Sequence, residues 1–338
     1  MDNSANFFWE KHPSVNHFAR IAAIVSIWVF VIFAQIDILK LSVLIPVYNW
    51  NLQRLFNELN EQLVELDWDW EVLCLDDGSA EYTTENKSLA RNLGFEFHYR
   101  ENRGRSVTRN ELAEWASGDW FLFLDCDSGL VKGNFLKKYI ESTNRAEVVY
   151  GGTVYQADFP GRDFALHWNY GKKKEALDSG VRNKDPFRSF KTNNFLVSRE
   201  VFSRFKLDES IRTYGYEDLM WAEVLKVGGV SILHIDNPVL HRGLNSTEKF
   251  LRNTSEAVVN LWKLHDSGKL HSPTPLLKCF FKLRKLRLEW LVRWLFVAFH
   301  KVILGNLRSS SPWLPFFALF KLSLLSQLAK KASAFGSK

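Results

Sequence analysis

The chain has 338 residues, longer than the roughly 100 to 200 of an ordinary single domain, and its 46% hydrophobic and 14% aromatic content excludes a disordered polymer. Its net charge of +6 is unevenly held: residues 276–338 contain twelve Lys and Arg against Glu289 alone, a net of +11, which leaves the preceding 275 residues at −5. That mildly acidic body does not read as a general polyanion binder, and three cysteines (Cys74, Cys126, Cys279) without a CxxC spacing exclude a disulfide framework and a zinc knuckle, pointing to a reducing, cytosolic setting.

In chain order, the first feature is an apolar stretch from Ile21 to Ala34, interrupted only by Ser26. It is shorter than the roughly 20 residues that cross a bilayer and has no following cleavage site. A membrane contact and a helix packed on its own protein both remain open for it. Residues 1–40 are therefore set apart as an N-terminal apolar segment. From Leu41 the pattern becomes short apolar runs alternating with helical ones, which predicts an α/β fold with a mostly parallel central sheet and flanking helices. Strands are expected at 41–47, 71–75, 95–99 and 120–124, with helices at 52–66 and 105–116. The polar section from Gly151 to Lys191 reads as loops and short helices. Further strands are expected at 193–197 and 230–235, and a helix at 217–227. A boundary near 243–246 closes an α/β domain of residues 41–245, followed by a helical, basic extension over 246–338.

Acidic or polar clusters fall where these strands end, the place where open α/β sheets bind ligands. Asp125-Cys126-Asp127 follows an apolar strand, so its two carboxylates must be solvated, paired or bound to a cation. Carboxylate oxygens suit Mn²⁺ or Mg²⁺, which take one or two protein carboxylates together with phosphate oxygens. The alternative is a pair of surface acids. Asp76-Asp77-Gly78-Ser79 again follows a strand, and could bind a nucleobase or simply close an Asx turn. The residues after the first strand, Tyr48-Asn49-Trp50-Asn51, lack the Gly-rich basic loop of a nucleotidyltransferase.

Taken together, the motifs resemble the family 2 glycosyltransferases with the GT-A fold, the nucleotide-diphospho-sugar transferases. Leu41 to Asn49 looks like that family's opening strand, Asp76 to Ser79 like its second signature, Asn102-Arg103-Gly104 with Arg109-Asn110 like its third, and Gly118 to Asp127 like the segment carrying its metal motif. The resemblance covers residues 41–127, with a later match at Tyr214-Gly215-Tyr216-Glu217-Asp218. It implies that Pro46, Tyr48 and Asp77 line a base pocket, and that Gly104 and Arg105 lie near the nucleotide. It places Asp125 at the ribose or donor sugar, Asp127 on a divalent metal, Mn²⁺ or Mg²⁺, and Asp218, beside Glu217, as general base of an inverting transfer. Related enzymes often complete the metal shell with a histidine where this chain has His241, although a hydrogen-bonded structural histidine fits that place equally. Cys126 between the acids and Ser128 after them depart from the family norm and leave the coordination open. Asp218 read alone is also an ordinary helix-start acid.

The implied activity is transfer of a sugar from a nucleotide diphosphate donor, a UDP-sugar favoured, to a hydroxyl of a glycan or lipid-linked acceptor in polysaccharide or glycolipid synthesis. A silent nucleotide-sugar-binding or membrane-surface protein on the same fold is the alternative. In the extension, Lys278, Lys282, Lys285, Glu289, Arg293 and His300 fall on one helical stripe, with Phe281, Leu288, Leu291, Leu295 and Phe299 elsewhere. That pattern suits a helix in an anionic membrane interface at the cytosolic face, or a helical pair folded back on the domain or used in self-association. Its basic groups are interleaved with too much aliphatic surface for a nucleic-acid groove.

Overall fold

The structure is a computed structural model that describes residues 39–211, 215–270 and 272–335. The 21–34 stretch and Tyr214 lie outside them. Leaving aside helices of six residues or fewer, the elements in chain order are β1 (Lys40–Val47), α1 (Gln53–Leu63), β2 (Asp69–Asp77), α2 (Thr83–Leu93), β3 (Glu96–Arg100), α3 (Arg105–Trp115), β4 (Trp120–Leu124), β5 (Ser128–Leu130), β6 (Val148–Tyr150), β7 (Thr153–Val154), α4 (Ala165–Lys174), β8 (Asn194–Ser198), α5 (Glu217–Val227), β9 (Ile232–His234) and β10 (Val239–His241). Four helices follow: α6 (Thr247–Asp266), α7 (Pro275–Lys285), α8 (Glu289–Leu307) and α9 (Leu314–Phe335).

Seven strands form one sheet in the order β3-β2-β1-β4-β8-β6-β9. β1 to β4 run parallel, and so do β6 and β9, while β8 is antiparallel to both its neighbours. Strands buried on both faces must be apolar throughout, and β1 and β4 are almost continuously so. Alternation then divides their side chains between two cores. Leu41, Val43, Ile45 and Val47 meet Leu55, Phe56, Leu59 and Leu63 of α1 on one face. Leu44, Leu73, Leu75, Phe121 and Phe123 meet Leu112 of α3 and Trp221 of α5 on the other. Each such side chain contributes about 1.5 to 3 kcal/mol by leaving water.

A second, three-stranded sheet in the order β5-β10-β7 lies beyond the ends of the main strands and was not expected from the sequence. It pairs His241 with Ser128, next to Asp127. Helices α6 to α9 pack into the same compact body as the sheets. Leu166 and Tyr170 of α4 meet Phe250 and Leu251 of α6, Ile303 and Leu307 of α8, and Phe317 and Phe320 of α9.

The basic stripe expected over 278–300 does not exist as one surface. Arg287 has φ +57, which ends α7 and re-aims the chain, so a single helical wheel cannot run through both helices. Arg293 turns inward, donating to Ser326 Oγ at 2.7 Å.

Candidate active site at the strand ends

The carboxyl ends of β1 to β4 gather the first three signatures into one braced loop cluster. Asn49 N–H donates to Ser79 Oγ at 2.7 Å, and Ala80 N–H donates to Asn49 Oδ1 at 2.7 Å, tying the β1 and β2 loops together. Asp76 is fully buried; it accepts from Ser79 N–H at 2.8 Å and Thr83 Oγ1 at 2.7 Å, which starts α2. Asp77 accepts from Arg100, from Arg103 N–H at 2.8 Å and from Gly104 N–H at 2.9 Å. Asp77 Oδ1 thus takes two donors and Oδ2 one in holding the 100–104 loop, which leaves a second lone pair on Oδ2 alone for a base. Gly78 is required between them: its φ is +81, and a Cβ there would lie 2.7 Å from Asn102 N. Pro46 is partly buried at the end of β1, and Tyr48 after it is 54% exposed, a free ring beside this cluster. Gly104, at φ +100, precedes α3, whose first residue, Arg105, extends toward Glu217 of α5, 3.6 Å away.

The acid pair leaves β4 and enters the small sheet. Asp125 N–H donates to Asn193 O at 3.0 Å, and the buried Arg109 of α3 donates to Asp125 Oδ1. Asp127 Oδ2 lies 3.5 Å from His241 Nδ1, and Arg242 N–H donates to Asp127 O at 3.0 Å. Asp127 Oδ1 is buried and has no hydrogen-bond partner. Burial alone would depress the His241 imidazole, but the Asp127 carboxylate beside it carries it above its ordinary value. Reciprocally, burial would raise Asp127, and the charge and contact of His241, with Arg105 beyond, bring it below the usual range. The Cys126 thiol between the acids is pushed far up by burial and by Asp127, so it stays protonated and offers no thiolate.

Among the described residues no three His, Cys, Asp or Glu form a complete cation cage. Asp127 and His241 do bring an orphaned carboxylate oxygen and an imidazole together at one point. That donor set fits a divalent ion which completes its shell from phosphate oxygens and water.

Glu217 and Asp218 open α5, as their sequence predicts. Asp218 Oδ2 accepts from Lys191 Nζ at 2.8 Å and Oδ1 from Leu219 N–H at 2.7 Å. The Asp218 charge, followed by Glu175, holds the Lys191 ammonium well above the usual lysine range, although burial opposes it. Glu217 Oε2 is buried without a partner. Between the two acidic centres lie residues that the sequence analysis left unassigned. Tyr155 donates to Glu175 and stands 5.4 Å from the His241 ring. His167, ring centroid also 5.4 Å from His241, accepts from Asn245 N–H at 2.9 Å through Nδ1 and stacks on Phe250 at 4.4 Å. Burial, with His241 nearby, pushes His167 down to about 4, so it is neutral. Lys191, Glu175, His167 and Tyr155 come from the polar section, where no periodicity or motif marks them.

Residues 42–205 match the family described as Glycosyl transferase family 2. The uncharacterized glycosyltransferase YfnE of Bacillus subtilis (strain 168) is 33% identical over 117 residues, 32% of this chain and 28% of that protein. The chain therefore aligns with less than a third of that relative's length. A mannosyltransferase, PcManGT from Pyrobaculum calidifontis, in complex with GDP-Man and Mn²⁺, aligns over 94% of this chain and 96% of its own with a TM-score of 0.52 at 13% identity. S. aureus TarS 1–349 in complex with UDP aligns over 66% of this chain and 65% of its own, with a TM-score of 0.45 at 18% identity.

Proposed function

Starting from the premise that residues 42–205 are a family 2 glycosyltransferase domain on the GT-A fold and that the protein is a transferase enzyme, we propose a metal-dependent, inverting sugar transfer. The donor is a nucleoside diphosphate sugar, with uridine favoured, and the acceptor is a hydroxyl of a glycan or lipid-linked molecule at the cytosolic face of a membrane. The single observation that carries this reading is the Asp127–His241 pair, with its buried, unpartnered Asp127 Oδ1, at the carboxyl ends of the parallel strands. The solved mannosyltransferase that shares the fold is bound to GDP-Man with Mn²⁺, a donor of the same class.

The residues divide the work by position. Pro46, Tyr48 and the Asp77-braced loop border the base, and Gly104 and Arg105 border the nucleotide. Asp127 and His241 would hold Mn²⁺ or Mg²⁺, which as a Lewis acid stabilises negative charge on the departing diphosphate. Asp125, held by Arg109, faces the ribose or donor sugar. Asp218 takes the proton of the acceptor hydroxyl as its oxygen bonds to the anomeric carbon on the face opposite the leaving group, which inverts that centre. Lys191, 2.8 Å away, fixes Asp218 in direction before that proton arrives. Glu217, opposite Arg105, is the less suited base, because its neighbour belongs to the nucleotide side.

Thermal melts of the purified protein with UDP, GDP, CDP and their sugar conjugates, with and without Mn²⁺, test this reading. The expected result is a metal-dependent rise with one nucleotide, since a ligand held only by the native state stabilises it by mass action. Asp127→Ala is expected to abolish the rise. Asp218→Asn is expected to keep it while slowing turnover by about 10² to 10⁴-fold. A folded protein that responds to no nucleotide would remove the proposed donor site, and full turnover in Asp218→Asn would remove Asp218 as base.

A further inference from the structure

α8 is the one helix among the described residues long and apolar enough to cross a membrane, yet only 17% of that stretch is buried. Its covered side is clear. Val292, Ile303 and Leu307 are buried, the last two in the cluster with Phe317 and Phe320 of α9, and Arg293 donates to Ser326 on the same helix. The opposite side carries Trp290, Trp294, Val297 and Lys301 at the i, i+4, i+7, i+11 spacing of one helical stripe. Val302 flanks it, and the three apolar stripe residues and Val302 are each more than half exposed. Two tryptophans and two valines turned to water on one helix are an unusual loss of apolar burial for a folded surface.

We infer that this outward face of α8, together with the basic turn that precedes it, lies on an anionic lipid bilayer. Lys282, Arg284, Lys285 and Arg287 are all exposed in the last turn of α7 and the link to α8, and Leu286 among them is exposed as well. Glu289 is the sole acid of residues 276–338. Tryptophan with aliphatic side chains and lysine or arginine at its border matches the boundary between acyl chains and anionic headgroups. The same charge argues against a second copy as occupant, because each copy would bring its basic turn toward the other's. The helix lies in the surface rather than crossing it: insertion would strip Ile303 and Leu307 from α9 and leave Arg293 without Ser326. Sequence periodicity suggested a basic membrane-facing stripe through Arg293. The structure instead turns Arg293 inward and presents Trp290, Trp294 and Val297. The inference deepens the cytosolic-face location proposed above and does not depend on the transfer chemistry.

The test is flotation of the full-length protein with vesicles of phosphatidylcholine mixed with phosphatidylglycerol, and with vesicles of phosphatidylcholine alone. The wild type is expected to float with the anionic vesicles and to release as salt rises. Trp290→Ser with Trp294→Ser is expected to weaken partitioning by about tenfold or more. Lys282→Ala with Lys285→Ala is expected to weaken it by about thirtyfold. These side chains are exposed, and an unchanged nucleotide-induced thermal shift in each variant shows that fold and donor site survive; absence of that shift in the wild type would strike the donor reading and leave this one standing. The inference is overturned if the wild type stays unbound, if the tryptophan variant floats as the wild type does, or if the wild type is a dimer in solution that the tryptophan variant makes monomeric.

Discussion

A Cβ added at Gly243 would stand 2.0 Å from Asp127 Oδ2, so this glycine leaves room for the carboxylate to face His241. Gly243→Ala does not disturb a glycine-only backbone angle, since Gly243 is absent from the positive-φ positions. It must instead push Asp127 aside. The expected outcome is a folded protein whose Mn²⁺ requirement rises by about tenfold to a hundredfold, read from metal titration of the nucleotide-induced thermal shift. Asp127 and Asp218 stood out in the sequence through the resemblance of their motifs to the family 2 signatures, since read alone each is also an ordinary surface or helix-start acid. The sequence did not make Lys191 legible. A lysine in a polar loop has no pattern, and it acquires meaning only when the chain carries it to within 2.8 Å of Asp218. His167 and Tyr155 were hidden for the same reason. Asp77 carried a clear motif, but its contacts add a bracing duty toward Arg100, Arg103 and Gly104 that no motif conveys.

Among elements, most strands of the main sheet were readable, including β3 and the three-residue β9, and the other short strands were not. β1, β2, β4 and β8 were anticipated from their apolar runs, and α5 from its acidic start. α2 was missed, because few of its residues are apolar and only Asn86 and Ala90 are buried. β6 and the three-stranded sheet are built from two- and three-residue strands, too short to show a period of two. One anchor sits near the amino ends of the parallel strands β1, β2 and β4. Glu71 of β2 accepts from Ser42 Oγ of β1 at 2.5 Å, and from Ser117 N–H at 2.6 Å and Ser117 Oγ at 2.7 Å before β4, with Lys40 Nζ 2.9 Å away. Burial alone would raise this carboxyl, but the hydrogen bonds from Ser42, Ser117 and Lys40 draw it from 4.5 to about 2. A depressed acid stabilises the fold above its unfolded value. The contribution is therefore complete above about pH 4.5 and disappears as pH falls toward about 2. Glu71→Gln is expected to cost about 2 kcal/mol at pH 7 and little near pH 2, measured by urea unfolding at both.

At the scale of the whole molecule, the C-terminal helices are structural as well as basic. A run of rings leads from the site outward: His241 to His167 at 5.4 Å, His167 to Phe250 at 4.4 Å, and Phe250 to Phe317 at 5.4 Å. The extension thereby closes the outer side of α4, the helix that carries His167. Phe317→Ala is expected to destabilise the protein by about 3 to 5 kcal/mol, seen as a lower unfolding midpoint, whereas loss of a dispensable tail residue would leave it unchanged.

The reversed strand β8 has one more consequence. Because β6 and β8 are hydrogen-bonded neighbours running in opposite directions, the chain leaves the sheet at Tyr150 and re-enters it at Asn194 on the same edge, the one that holds Asp125. Everything between, including His167, Glu175 and Lys191, is an excursion whose two ends are already clamped side by side. Lengthening its exposed loops adds little closure entropy, whereas β7, paired with β10, and α4, packed on α6, α8 and α9, tie the rest of it to the fold. The segment is in this sense held between two strands already clamped side by side, so a change in its exposed loops need not shift Asp125 or the strand ends that carry it.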